Sequence, residues 1–236
     1  MKLSVVTATY NAARHLPRLI ESLRRQSDRE FEWVVADGGS RDGTLELLAG
    51  AADLAPKVSS QPDFGIYDAF NRAIRLSSGE YYVVIGADDY FFEHAVAAFK
   101  KAIAERRTDI VTARLQFGER VYGVRGGSSL LNKHLTYVSG HSVSTAFRKA
   151  LHERFGYYSS AYPVAADRLF IRECVRGGVT IAAIDEVAGC FSLDGTSHRD
   201  VLGTLTESYR IQLKFENKLA ATLVFLAGLL RNFRRL

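Results

Sequence analysis

The chain has 236 residues, 47% of them hydrophobic and 24% charged, enough for one sizeable domain with a buried core. A disulfide-stapled mini-protein, a disordered tail and a polytopic membrane protein are excluded by these figures. The formal charge of +5 falls at the carboxyl end, where Arg210, Lys214, Lys218, Arg231, Arg234 and Arg235 stand against Glu216, while residues 1–207 are neutral; a diffuse nucleic-acid footprint is therefore not expected.

From the amino terminus, Leu3 to Thr7 reads as a strand. It lacks the long apolar core and small-residue cleavage site of a signal peptide, so the protein is expected to stay where it is made, in the cytoplasm. His15 to Arg25 places Leu16, Leu19, Ile20 and Leu23 on one helical face. A strand at Glu32 to Ala36, helices at Thr44 to Ala52 and Ile66 to Leu76, and strands at Tyr81 to Ile85 and Asp109 to Thr112 follow, with a further helix between the last two. That alternation predicts an α/β fold with a mostly parallel central sheet flanked by helices. Gln116 to Val124 then alternates like a strand, Gly126 to Ser129 is a loop, Ala165 to Val175 is a helix stopped by Gly177-Gly178, and Val179 to Phe191 is a strand region. Cys174 and Cys190 sit in apolar surroundings without CxxC spacing, which suits free thiols in a reducing compartment. No repeat or linker interrupts the chain, so one domain, 1–200, is expected, with a basic amphipathic helical extension, 201–236.

In that extension Ile211, Phe215, Leu219, Leu223, Leu226, Leu230 and Phe233 recur every three or four residues as an apolar stripe. The apolar run Leu219 to Leu230 spans roughly 18 Å at about 1.5 Å per residue, short of a bilayer core of about 30 Å. Basic residues on both sides predict an interfacial helix on an anionic membrane surface through residues 208–236. Docking on the protein's own sheet or in a homodimer is the alternative.

In an open parallel sheet, ligands bind beyond the carboxyl ends of the strands. Those ends carry Ala8-Thr9-Tyr10-Asn11, Asp37-Gly38-Gly39-Ser40 with Asp42-Gly43-Thr44, and Gly86-Ala87-Asp88-Asp89. Each piece also has a purely local reading: Asp-Gly-Gly-Ser makes a good turn, and Asp42 can cap the helix after it. The adjacent carboxylates of Asp88 and Asp89 repel unless a cation or ligand lies between them, and hard oxygen ligands suit Mg²⁺ or Mn²⁺ on a diphosphate.

The series Val6-Thr7-Ala8-Thr9-Tyr10-Asn11, Val35 to Thr44, Asp63-Phe64-Gly65-Ile66-Tyr67-Asp68-Ala69-Phe70-Asn71 and Gly79-Glu80 before Gly86-Ala87-Asp88-Asp89 resembles a family 2 glycosyltransferase of the GT-A fold. The resemblance covers roughly residues 3 to 200, and the subgroup is similar to small bacterial enzymes of surface or exopolysaccharide synthesis. It implies that Thr9, Tyr10, Asp37, Asp63 and Asp88 bind the donor, with Tyr10 near the nucleobase and Asp37 on the base or ribose. Asp89 would ligate a divalent metal, Mn²⁺ or Mg²⁺, with His198 a further candidate. The family often reads Asp-x-Asp-Asp or Asn-x-Asp-Asp, and this chain has Gly86 at the leading position. Pro163-Val164-Ala165-Ala166-Asp167-Arg168 resembles the segment that supplies the catalytic base, Asp167, and His141 corresponds to a residue on the acceptor side.

The expected activity is inverting transfer of a sugar from a nucleoside diphosphate sugar to a hydroxyl of a glycan or lipid-linked glycan, by an enzyme peripheral on the inner face of the plasma membrane. A non-catalytic, membrane-associated nucleotide-sugar-binding module and a nucleotidyltransferase are the alternatives. No G-x-G-x-x-G follows the first strand, which argues against a dinucleotide-dependent oxidoreductase, and no Gly-rich basic loop stands there for nucleotidyl transfer.

Overall fold

A computed structural model describes residues 2–192 and 200–233. Strand β1 (Leu3–Thr9) pairs in parallel with β2 (Phe31–Asp37) and β4 (Tyr81–Val84), and β2 carries β3 (Lys57–Ser60) at the edge. Helices α1 (Leu16–Arg24), α2 (Thr44–Ala49) and α3 (Ile66–Leu76) make the crossovers. Burial runs almost unbroken through β1, its Ser4, Thr7 and Thr9 included, because both faces of this half are covered, as parallel sheets require. Leu3, Val5, Trp33 and Val83 pack under α1 and α4 (Ala95–Arg106), while Val6, Val34, Tyr82 and Val84 pack under α3 and α7 (Ala166–Arg176).

The second half is mixed. Strand β8 (Thr145–Arg148) lies antiparallel between β4 and β6 (Ile110–Phe117), and β6 runs parallel to β9 (Ile181–Phe191), whose far side takes the two-residue β5 (Tyr90–Phe91). The long parallel pairings make the sheet mostly parallel overall. Gln116 to Val124 is not one strand. The chain turns at Gly118 (φ 58), and β7 (Arg120–Tyr122) folds back on β6 as a hairpin. The short elements β3, β5, β8, α5 (Ser129–Asn132) and α6 (Leu151–Phe155) lack a periodic signal of their own. Cys174 and Cys190 are both free thiols.

The apolar stripe of the carboxyl end also divides. Helix α8 (Val201–Phe215) stops before Glu216, and α9 (Lys218–Asn232) starts afresh because the Asn217 side chain accepts from Leu219 N at 3.0 Å and Ala220 N at 3.1 Å. Ile211 on α8 is buried in the core against α7, whereas Leu219, Leu223, Leu226 and Leu230 leave an exposed face on α9 that Phe233, just past its end, continues. Among the described residues no helix is long and apolar enough to cross a membrane.

Candidate active site

The loops after β1 and β2 are stitched together by their short polar residues. Ala12 N donates to Thr44 Oγ1 at 2.8 Å, Ala13 N to Asp42 Oδ2 at 3.0 Å, and Arg41 N to Asn11 Oδ1 at 3.0 Å. Asp37 is wholly buried, and its carboxylate accepts from the Thr9, Ser40 and Ser60 hydroxyls and from the Gly39 and Ser40 amides. Burial alone would raise this carboxyl, but the hydroxyls of Ser40 and Ser60 and the Ser40 amide outweigh it and hold Asp37 below the usual carboxylate range. Its oxygens are saturated by the chain, so in this geometry Asp37 organises the loop, and contact with a nucleoside requires exchange of one of these bonds.

Tyr10 stands beside it with 69% of its surface exposed. A Cβ placed on Gly38 would lie 2.8 Å from Asp63 Oδ2 and 3.2 Å from the Tyr10 ring, so glycine keeps open a slot bordered by an aromatic face and a carboxylate. Arg72 of α3 steadies that slot. Its guanidinium donates to Asp37 O at 2.7 Å and lies 3.9 Å from Asp63 Oδ2.

Beyond β4 the chain turns through Gly86, and Asp89 folds inward until it is 2% exposed. Its carboxylate accepts from Ser192 N at 2.8 Å, the Ser142 hydroxyl at 2.9 Å and Gly86 N at 3.1 Å. Burial, with the adjacent Asp88 carboxylate adding to it, pushes Asp89 up to about 7. The Gly86 departure has a steric counterpart: a Cβ there would lie 2.8 Å from Asp88 Oδ1 and 2.9 Å from Asp89 Oδ2. The two carboxylates converge on the space that a larger leading residue would fill. Ser142 reaches Asp89 because Val143 adopts φ 70, a left-handed backbone that β-branched residues avoid, held by its N–H on Val84 O at 2.7 Å.

A cavity of about 830 Å³ opens from these carboxylates toward the second half of the chain, and Asp88, Asp89, Tyr67, His141 and Asp167 all line it. Asp167 lies in the first turn of α7 and accepts from the Tyr67 hydroxyl at 2.6 Å, across 100 residues of sequence. Burial favours its neutral form, yet His141, His134, Arg168 and the Tyr67 hydroxyl outweigh that and hold the carboxyl below its usual range. Burial also drives His141 downward and His134 to about 3, so both imidazoles are neutral at neutral pH. With the imidazoles neutral, Arg168 and the Tyr67 hydroxyl are the groups of that set that still favour the carboxylate at neutral pH. His141 accepts or donates at Tyr158 Oη, 2.7 Å away, and packs edge-on to Phe70. The remaining wall is largely apolar, with Leu115, Phe117, Leu135, Phe191, Val201 and Leu205.

The structure brings Asp88, Asp89, His141 and Asp167 to one cavity, with Tyr10, Asp37 and Asp63 on a neighbouring rim. Tyr67, Ser142 and His134 join them without a signal in the sequence. Tyr67 stands inside the Asp63 to Asn71 series, but nothing local says that its hydroxyl meets α7. His198, and with it Arg234 and Arg235, lies outside the described residues. Among the described residues no cluster of three or more His, Cys, Asp or Glu side chains is arranged to hold a metal.

The pattern described as Glycosyl transferase family 2 matches residues 4–174. A PGL/p-HBAD biosynthesis glycosyltransferase of Mycobacterium bovis is 32% identical over 182 residues, covering 72% of this chain and 68% of that protein. The crystal structure of S. aureus TarS 1-349 in complex with UDP-GlcNAc superposes with a TM-score of 0.76 at 22% identity, over 99% of this chain and 73% of that one. The longer TarS chain is spanned to 44% of its length. The mannosyltransferase PcManGT of Pyrobaculum calidifontis, in complex with GDP-Man and Mn2+, gives a TM-score of 0.72 at 19% identity, over 98% of this chain and 75% of that one. With the strand-end carboxylates, the α7 carboxylate and the sheet order in place, the chain belongs to glycosyltransferase family 2.

Proposed function

We propose that the protein transfers a sugar from a nucleoside diphosphate sugar to a hydroxyl of a glycan or lipid-linked glycan, inverting the anomeric centre. The observation that carries this is Asp167, ionised and gripped by Tyr67, on the wall of the cavity that Asp88 and Asp89 open into. The nucleoside sits in the slot between Tyr10 and Asp63, where an aromatic face stacks and a carboxylate accepts from a base N–H or a ribose hydroxyl. The diphosphate then lies toward Asp88 and Asp89, which leaves the sugar over the cavity. Asp167 takes the proton of the acceptor hydroxyl as that oxygen bonds to the anomeric carbon, and the bond from that carbon to the diphosphate oxygen breaks on the opposite face. The apolar wall shields the reacting atoms from water.

Two adjacent carboxylates, one of them raised toward neutrality by burial and further by the other, suit a divalent cation. Asp88 and Asp89 would hold Mn²⁺ or Mg²⁺, and the cation would neutralise charge on the departing diphosphate. That PcManGT is seen with GDP-Man and Mn2+, and TarS with UDP-GlcNAc, supports the donor class. The exposed leucine face of α9 between Lys218 and Arg231 supports seating on an anionic membrane surface. Purified protein with Mn²⁺ and a panel of UDP-, GDP- and dTDP-sugars, read by donor hydrolysis and by thermal shift, tests the activity; turnover of none of them, with or without divalent cation, defeats it.

A further inference from the structure

Helix α8 lies outside residues 4–174, yet one of its side chains reaches the segment that carries Asp167. Glu207 is 6% exposed, and its carboxylate accepts from Ala165 N at 2.7 Å and Val164 N at 3.0 Å. These amides belong to the entry of α7, whose cap residue, Ala165, has no side chain that could bond them. From the other side, the Tyr67 hydroxyl oxygen lies 2.6 Å from Asp167 Oδ1 and 3.2 Å from Val164 O. One hydroxyl has one proton, and the shorter, charge-assisted bond to Asp167 takes it. The segment 164–167 is thus gripped by its amides from α8 and by its carboxylate from α3. Arg168 adds a bond at 2.8 Å to the hydroxyl of Ser208, the residue next to Glu207 on α8.

We propose that Glu207 is a positioning residue: by fixing the Val164–Ala165 backbone it sets the start of α7 so that Asp167 meets Tyr67 and faces the acceptor. This rests on the reading of Asp167 as the base. Proton transfer tolerates little displacement, and freeing the two amides lets the first turn of α7 shift relative to α3. The carboxylate also faces the amino end of the helix, where the backbone favours negative charge.

The test uses the full chain, donor turnover and four variants: Asp167→Asn, Glu207→Ala, Glu207→Gln and the double variant Glu207→Ala with Asp167→Asn. Glu207→Ala should lower kcat about tenfold or more while the KM for donor stays within about twofold, because the donor slot lies on other elements. Glu207→Gln keeps one oxygen that can accept an N–H and should recover part of the loss. As contact with Tyr67 loosens in the alanine variant, the acid limb of kcat should move to higher pH. On the Asp167→Asn background, Glu207→Ala should cost nothing further, since the group it positions is gone. An equal loss on both backgrounds, or an unchanged kcat in Glu207→Ala, overturns the proposal while leaving Asp167 as base. Full turnover by Asp167→Asn removes that reading instead. Should the alanine variant fail to fold, the intermediate kcat and the shifted acid limb of Glu207→Gln carry the same decision, and wild-type values for both overturn the proposal.

Discussion

The proposed donor rim and the proposed acceptor wall meet at Asp88 and Asp89 but are made in different ways. The rim is assembled from consecutive strand ends of the parallel half, and its polar side chains bond the neighbouring loop: Thr9 to Asp37, Asn11 to Arg41, Asp42 to Ala13. The acceptor wall gathers α3, α7, α8 and the turn at Ser142 from distant parts of the chain, and its decisive contact joins residues 100 apart. On the proposed function, binding of the donor is a property of local loops, while proton transfer depends on how whole helices are docked.

Substitutions should separate the two sides. Asp167→Asn is expected to lower kcat by about 10²–10⁴ with donor binding retained, as measured by steady-state turnover and calorimetry. Chelation of divalent cation, or Asp89→Ala, strikes the border between the regions and should lower kcat by about 10²–10³, with the chelated enzyme restored by added Mn²⁺. Tyr67→Phe removes one charge-assisted bond, so a loss of about tenfold in kcat is expected. Without that bond burial is less opposed, the Asp167 carboxyl rises, and the acid limb of the pH–rate profile moves to higher pH. The stability effect has the matching sign: a carboxyl held low in the fold contributes above its unfolded pKa, and the contribution is lost as pH falls through the folded value. Tyr10→Ala belongs to the rim and should raise the KM for donor about three- to tenfold with kcat little changed, the loss of roughly one stacking contact. Leu223→Glu with Leu230→Glu touches neither side: both side chains are exposed, and kcat on a soluble acceptor should hold while sedimentation with anionic vesicles falls.

The same division explains what the sequence made legible. The parallel half announces itself because each strand is a short apolar run and each helix has a periodic face, and the strand ends carry recognisable carboxylates. Tyr67 was invisible as a partner of Asp167 because no local pattern encodes a contact across the molecule. Asp37 looked like a ligand group by position, and only its five donors reveal how fully the chain occupies it. In the extension a single stripe concealed two fates, since Asn217 restarts the helix and sends Ile211 inward while Leu219 stays out. A hairpin likewise hid in Gln116 to Val124, because alternation persists through a two-residue turn.

Gly86 bears on what the paired carboxylates leave room for. The space beside it is filled by the inward carboxylates of Asp88 and Asp89, each within 2.9 Å of where a Cβ would stand. An aspartate arriving at position 86 alone would collide with both before it could join them. Any side chain at position 86 therefore requires Asp88 and Asp89 to move, and with Asp89 its hold on Ser142 and Ser192.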